Sequence, residues 1–130
     1  RHADVDLILV EGLAGGQEPV VEGARQRLQQ VFRNLILNGI QAMPAGGHLE
    51  VKISVKGSVV LLSFSDEGTG FSARALAHGK DLFFTEKEGG MGVGLNVATE
   101  IISAHGGKIE LKNRPQGGAV VEIRLQMKLE

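Results

Sequence analysis

The sequence predicts an α+β fold, a two-layer α/β sandwich whose mixed, mostly antiparallel sheet is covered on one face by about three helices. Three observations lead there. Segments 48–56, 58–66, 108–112 and 121–127 alternate apolar with polar or charged residues, so each strand has one face for a core and one for water. Two longer segments, 25–43 and 93–105, carry apolar residues at helical spacing instead. The length of 130 residues is that of one domain with one core, so residues 1–130 are expected to form a single unit.

Each element has its own signals. Residues 5–10, Val-Asp-Leu-Ile-Leu-Val, read as a strand, residues 12–19 as a loop, and Val20-Val21 as a second short strand. The helix 25–43 presents Leu28, Val31, Phe32, Leu35, Gly39 and Ala42 on one face, and Pro44, Gly46 and Gly47 stop it. A second stripe of amides, Gln30, Asn34, Asn38 and Gln41, runs along its flank. Strands 48–56 and 58–66 are joined at Lys56-Gly57 and read as a hairpin. A short helix is expected over 72–78, a long loop over 79–92, and Gly106-Gly107 ends the helix 93–105 with a left-handed turn.

Composition narrows the function. Lys and Arg total 14 against 15 Asp and Glu, which gives no general attraction to nucleic acid or to an anionic membrane. The absence of cysteine excludes disulfides and thiolate metal sites and fits a cytoplasmic setting. No apolar run approaches the ~20 residues that a membrane helix needs. With no Trp or Tyr, the core must be aliphatic with a few Phe, and the 19 glycines are what calls for an explanation.

Three features carry chemistry. Phe83 to Leu95 passes from apolar anchor to a loop with Gly89, Gly90, Gly92 and Gly94 and then to a helix start, so it is either a plain connection or an anion grip at a helix N-terminus. Lys87 within it is a phosphate counter-charge or simply solvated. Asp66 continues the core-facing parity of Val60, Leu62 and Phe64 and precedes Glu67-Gly68-Thr69-Gly70; it is either a turn cap or an acceptor for an amino group of a flat ligand such as adenine. Gly39 beside Asn38 costs about 1 kcal/mol relative to Ala in a helix interior, so close packing or ligand approach must explain it. Asn34 and Asn38 are either solvated amides on an exposed flank or ligand-facing, and neutral oxygens such as that of Asn38 suit Mg²⁺ when phosphates supply the other ligands. The doubly wound dinucleotide fingerprint fails, because Leu95 stands where its third glycine belongs, and the Gly107-Lys108 pair lacks the surroundings of the other common phosphate loop.

These segments together resemble the four boxes of sensor histidine kinase catalytic domains. Asn34 to Ala42 is similar to the N box, Asp66-Glu67-Gly68-Thr69-Gly70 to the first glycine box, Phe83-Phe84-Thr85-Glu86-Lys87 to the F box, and Gly90-Met91-Gly92-Val93-Gly94-Leu95 to the second glycine box. The run Asn38 to Gly47 is especially similar to the nitrogen-regulation-type sensor kinases. The resemblance implies the Bergerat ATP-binding sandwich, with ATP and Mg²⁺ as cofactors. It places Asn38 on Mg²⁺, Asn34 near the phosphates, and Gln41 and Ala42 beside them at the end of the helix. It puts Asp66 on the adenine amino group with Gly68, Gly70 and Phe71 around the base. Lys87, in the catalytic set with Asn38, would close over the phosphates together with Gly90, Met91, Gly92, Val93, Gly94 and Leu95. Ala24, Met91, Ala119 and Gln126 depart from the family pattern, which bears on the helix cap and on water-bridged contacts to adenine near Ala119.

By the same resemblance the chain is the catalytic and ATP-binding domain of a larger kinase. It transfers the γ-phosphoryl group to a histidine on a separate dimerisation domain, from which it passes to a response regulator. The chain begins almost at its first strand, with no helical hairpin bearing a phosphoacceptor, and His2, His48, His78 and His105 do not lie on an acceptor helix. The isolated domain is therefore expected to be monomeric, cytoplasmic and unable to phosphorylate itself, with no contact to nucleic acid or membrane. An anti-sigma-type serine kinase and a non-catalytic, nucleotide-gated interaction module remain as alternatives on the same fold.

Overall fold

The computed structural model describes residues 5–12, 23–78 and 95–127. In chain order the elements are β1 (Val5–Gly12), α1 (Arg25–Gln41), β2 (Gly47–Lys56), β3 (Val59–Ser65), α2 (Ala73–His78), α3 (Leu95–Ala104), β4 (Lys108–Asn113) and β5 (Ala119–Gln126). The strands form one sheet in the order β1-β2-β3-β5-β4. β1 and β2 pair in parallel, with α1 between them in sequence, and the other three pairings are antiparallel. This is the mixed, mostly antiparallel sheet that the alternation predicts.

Register turns the alternation into a core. Val51, Phe64, Val121 and Leu111 lie side by side across four strands, and the row formed by Ile53, Leu62, Ile123 and Ile109 lies beside it. Leu28, Val31, Phe32 and Leu35 of α1 and Leu95, Ala98, Ile101 and Ile102 of α3 join these rows in the core. Phe32 stacks on Phe64 with ring centroids 6.2 Å apart. Leu49, Leu95, Ile102, Ile123 and Val31 are essentially fully buried, and side chains of this kind contribute about 1.5–3 kcal/mol each. The opposite face is polar. Lys112 meets Glu122 there at 2.9 Å, an exposed pair worth at most about 1 kcal/mol.

The ends of the elements have local causes. Gly57 and Ser58 link β2 to β3, with Gly57 at φ 62°, as a type II′ hairpin requires at its first central residue. α1 stops at Gln41, two residues before the expected Met43, because the Met43 N–H turns back to Ile40 in a tighter turn and Pro44 has no N–H to continue the ladder. α3 closes with a left-handed Gly106 at φ 73°: Gly107 donates to Ile102 and Gly106 to Ser103, as expected from the Gly106-Gly107 pair. The described part of α3 begins at Leu95, so its expected start at Val93, like the expected strand at Val20-Val21 and the long loop 79–92, lies outside the described residues.

His105, just beyond the last turn of α3, joins its own helix to the start of α1. Nδ1 bonds the Ile101 carbonyl at 2.7 Å and must donate, so Nε2 is the acceptor for the Ala24 N–H at 2.9 Å. Ala24, in an extended conformation at the start of α1, has no side-chain cap of its own.

Candidate adenine and metal site

The site forms where the end of α1 meets the sheet. Gly39 lets α1 approach closely: a Cβ there would lie 2.7 Å from Leu49 Cδ1 of β2. Packing therefore accounts for this glycine in the helix interior. A cavity of about 20 Å³ remains beneath the helix, lined by Leu35, Asn38, Gly39, Leu49, Phe64, Asp66, Phe71, Leu95 and Val121. Four residues singled out in sequence, Asn38, Asp66, Phe71 and Leu95, thus come together from four separate stretches of chain.

Asp66 is the buried charged residue among those described, 6% exposed, as its parity along β3 predicts. An unpartnered carboxylate there would cost several kcal/mol. Oδ1 accepts the Gly68 N–H at 2.8 Å and the Ala119 N–H at 3.2 Å; Oδ2 accepts no hydrogen bond among the described residues. Asp66 is therefore a turn cap through one oxygen, with the other left over. The Ala119 contact comes from its backbone and does not depend on its departure from the family pattern.

The loop from Asp66 to Phe71 is held from several sides. A Cβ on Gly68 would overlap the Ala42 carbonyl at the end of α1, so this glycine is needed for close approach. The Glu67 N–H points to the Met43 sulfur at 3.3 Å, and Glu67 Oε1 accepts both the His48 N–H at 2.8 Å and a bond from its ring at 2.9 Å. The hydrogen bonds from the His48 side chain and then from its backbone hold the Glu67 carboxyl below its ordinary range. From the other side, Asn113 bonds both backbone groups of Phe71, and Arg114 Nη1 donates to the Asp66 carbonyl at 3.0 Å.

Among the described residues, the expected Asn34, Gln41, Ala42, Gly68, Gly70 and Ala119 are not part of the cavity lining. Asn34 is half-buried one turn before Asn38, and Gln41 is exposed. Lys87, Gly90, Met91, Gly92, Val93 and Gly94 lie outside the described residues. Asn113, Arg114 and Glu67 went unnoticed in sequence as parts of the site. The Gly117-Gly118 pair after Asn113-Arg114 is the local mark of the turn that carries two of them, but it does not say what that turn touches. Two larger open grooves, of about 320 and 530 Å³, lie over polar residues of β2, β3 and β5 and around His48, Glu67 and Arg114.

Comparison with known proteins agrees with this geometry. The chain is 33% identical over 109 residues to sporulation kinase C of Bacillus subtilis, covering 84% of this chain and 26% of that protein. It is 33% identical over 127 residues to the C4-dicarboxylate transport sensor protein DctS of Rhodobacter capsulatus, covering 95% and 19% respectively. The chain thus spans about a quarter or less of the length of these relatives. Its structure superposes on the nucleotide-free catalytic domain of histidine kinase ThkA with a TM-score of 0.76 at 28% identity, covering 92% of this chain and 78% of that one. Residues 23–129 match the family described as histidine kinase-, DNA gyrase B-, and HSP90-like ATPase, and the chain belongs to that family.

Proposed function

We propose that this chain is the catalytic and ATP-binding domain of a larger sensor kinase, that it binds Mg-ATP through Asp66 and Asn38, and that it presents the γ-phosphoryl group to a histidine on a separate dimerisation domain. The observation that carries the reading is Asp66: a buried carboxylate, one oxygen tied to backbone and the other not, facing a cavity shared with Asn38. A cavity of about 20 Å³ suits the amino end of a purine, with the rest of the base outside it. Asn38 offers a neutral oxygen. One such donor suits Mg²⁺, which takes few protein ligands when phosphates and water supply the rest. The metal would neutralise phosphate charge; the chain's own part is to fix the base at Asp66 and orient the phosphates by Asn38. Asn34, Gln41, Lys87 and residues 90–94 belong to the phosphate side of this reading, and a response regulator to the step that follows.

Titration calorimetry tests it. Asp66→Asn sets an amide donor against the adenine amino group and should weaken ATP and ADP by about ten- to a hundredfold, with or without magnesium. Asn38→Ala should weaken Mg-ATP toward the metal-free level. If Asp66→Asn binds ATP like the parent, the adenine assignment is wrong; unchanged magnesium dependence in Asn38→Ala removes the metal assignment. Radiolabelled ATP supplied together with a sensor-kinase dimerisation domain should put acid-labile phosphate on that domain and none on this chain. Acid-stable label would favour a serine kinase, and no transfer despite binding would favour an interaction module.

A further inference from the structure

The loop that faces the base in this reading is tied down by a turn more than forty residues away. Asn113, the last residue of β4, meets Phe71 through two hydrogen bonds, its Oδ1 accepting the Phe71 N–H at 2.7 Å and its Nδ2 donating to the Phe71 carbonyl at 2.9 Å. A side-chain amide carries a donor and an acceptor side by side, so it serves Phe71 as a neighbouring strand would. Gly70, at φ 80°, leaves room for this contact, since a Cβ there would lie 2.8 Å from Asn113 Oδ1. The next residues hold the other end of the loop. Arg114 donates to the Asp66 carbonyl at 3.0 Å, the Asp66 N–H donates to the Ala119 carbonyl at 3.0 Å, and the turn closes on itself through the Arg114 N–H and the Gly118 carbonyl at 2.8 Å. Gly118, at φ 106°, sits against the Asp66 carbonyl so closely that a Cβ would overlap it.

Both ends of residues 66–71 are therefore referred to one hydrogen-bonded turn, and both end residues line the cavity beneath α1. We propose that Asn113 is a positioning residue for base selection: it fixes Phe71 relative to Asp66, so that the carboxylate meets an amino group at a set distance. The inference rests on the adenine reading of Asp66. A merely structural Asn113 would, when removed, lower stability and weaken every nucleotide alike. A positioning Asn113 acts on the contrast between bases.

The measurement is the ratio of ATP to inosine triphosphate affinity, by calorimetry on the 130-residue chain with thermal melting alongside. Inosine carries a carbonyl where adenine has its amino group. Asn113→Ala should lower the ratio about three- to tenfold, as expected for loss of two neutral hydrogen bonds acting through a loop. Asn113→Asp, which keeps an oxygen where Oδ1 accepts from Phe71 and loses the donor to its carbonyl, should also lower it, and it decides the matter if the alanine variant does not fold. Asp66→Asn, measured in parallel, should collapse the ratio. An unchanged ratio in both Asn113 variants beside a collapsed one in Asp66→Asn overturns the role of Asn113 and leaves the adenine reading standing. An unchanged ratio in Asp66→Asn overturns both.

Discussion

The two ends of α1 are held in different ways. At its start, Ala24 brings no cap, and the anchor is a single imidazole that accepts one backbone N–H from across the domain. At its end, the Ala42 N–H still bonds Asn38 at 3.0 Å, and Gly68 presses directly against the Ala42 carbonyl. The first contact is with a side chain, which can swing away at a modest cost. The second is backbone against backbone. Asn38, the metal ligand proposed above, lies near the end held by backbone, and the side-chain contact lies four turns away. A helix that must present one side chain accurately needs its rigid support at that end only.

This contrast can be broken at either end. Gly68→Ala should be the more damaging, because the added methyl must displace either the last turn of α1 or the Asp66 loop. Urea unfolding should show a loss of about 1–3 kcal/mol, and ATP affinity should fall at least about tenfold. Affinity like that of the parent would mean that the two backbones part without disturbing the site.

At the start of α1 the effect should be smaller and confined to stability. His105→Ala should cost about 0.5–2 kcal/mol, the range for losing a helix cap, and leave ATP affinity nearly unchanged. Gly23→Ala, whose Cβ would overlap the His105 ring, should remove the same contact by pushing the ring aside. The double variant should then be little worse than either single one, and full additivity would show that the contact is not shared.

The smallest expected effect sharpens the comparison at the base-side loop. Glu67 has a lowered carboxyl pKa caused by the His48 hydrogen bonds, so its contribution is fully present above the ordinary value of 4.5 and disappears as the pH falls through the lowered one. Glu67→Gln should flatten that part of the acid limb in a stability-against-pH curve. A curve parallel to the parent's throughout would show that the pair is not coupled to folding.

What could be read in the sequence follows from its periods. Alternation in Leu49–Val55, Val60–Phe64 and Val121–Leu125 sets which side chains face inward, and the sheet rows obey it because a strand has only two faces. The same parity carries Asp66 inward, and Gly39 in a helix interior marks a close approach whose partner, Leu49, only the fold supplies. His105, Asn113 and Glu67 had no such signal. Each acts through a polar contact to a distant segment: His105 reaches back 81 positions to Ala24, Asn113 reaches 42 to Phe71, and Glu67 reaches 19 to His48. A hydrogen bond of that kind leaves no spacing rule in the chain, because the partner is chosen by the folded arrangement. The polar face of a strand or a turn gives the same pattern whether its residues meet water or hold a loop.

α3 has a mechanical consequence of its own. Its first described residue, Leu95, stands in the cavity wall, and His105, just beyond its last turn, holds the start of α1. Ten helical residues make a strut about 15 Å long. The two ends of α3 thus serve the two ends of α1: Leu95 shares the cavity wall with Leu35, Asn38 and Gly39, and the His105 imidazole takes the Ala24 N–H, while Ala98, Ile101 and Ile102 between them are packed in the core.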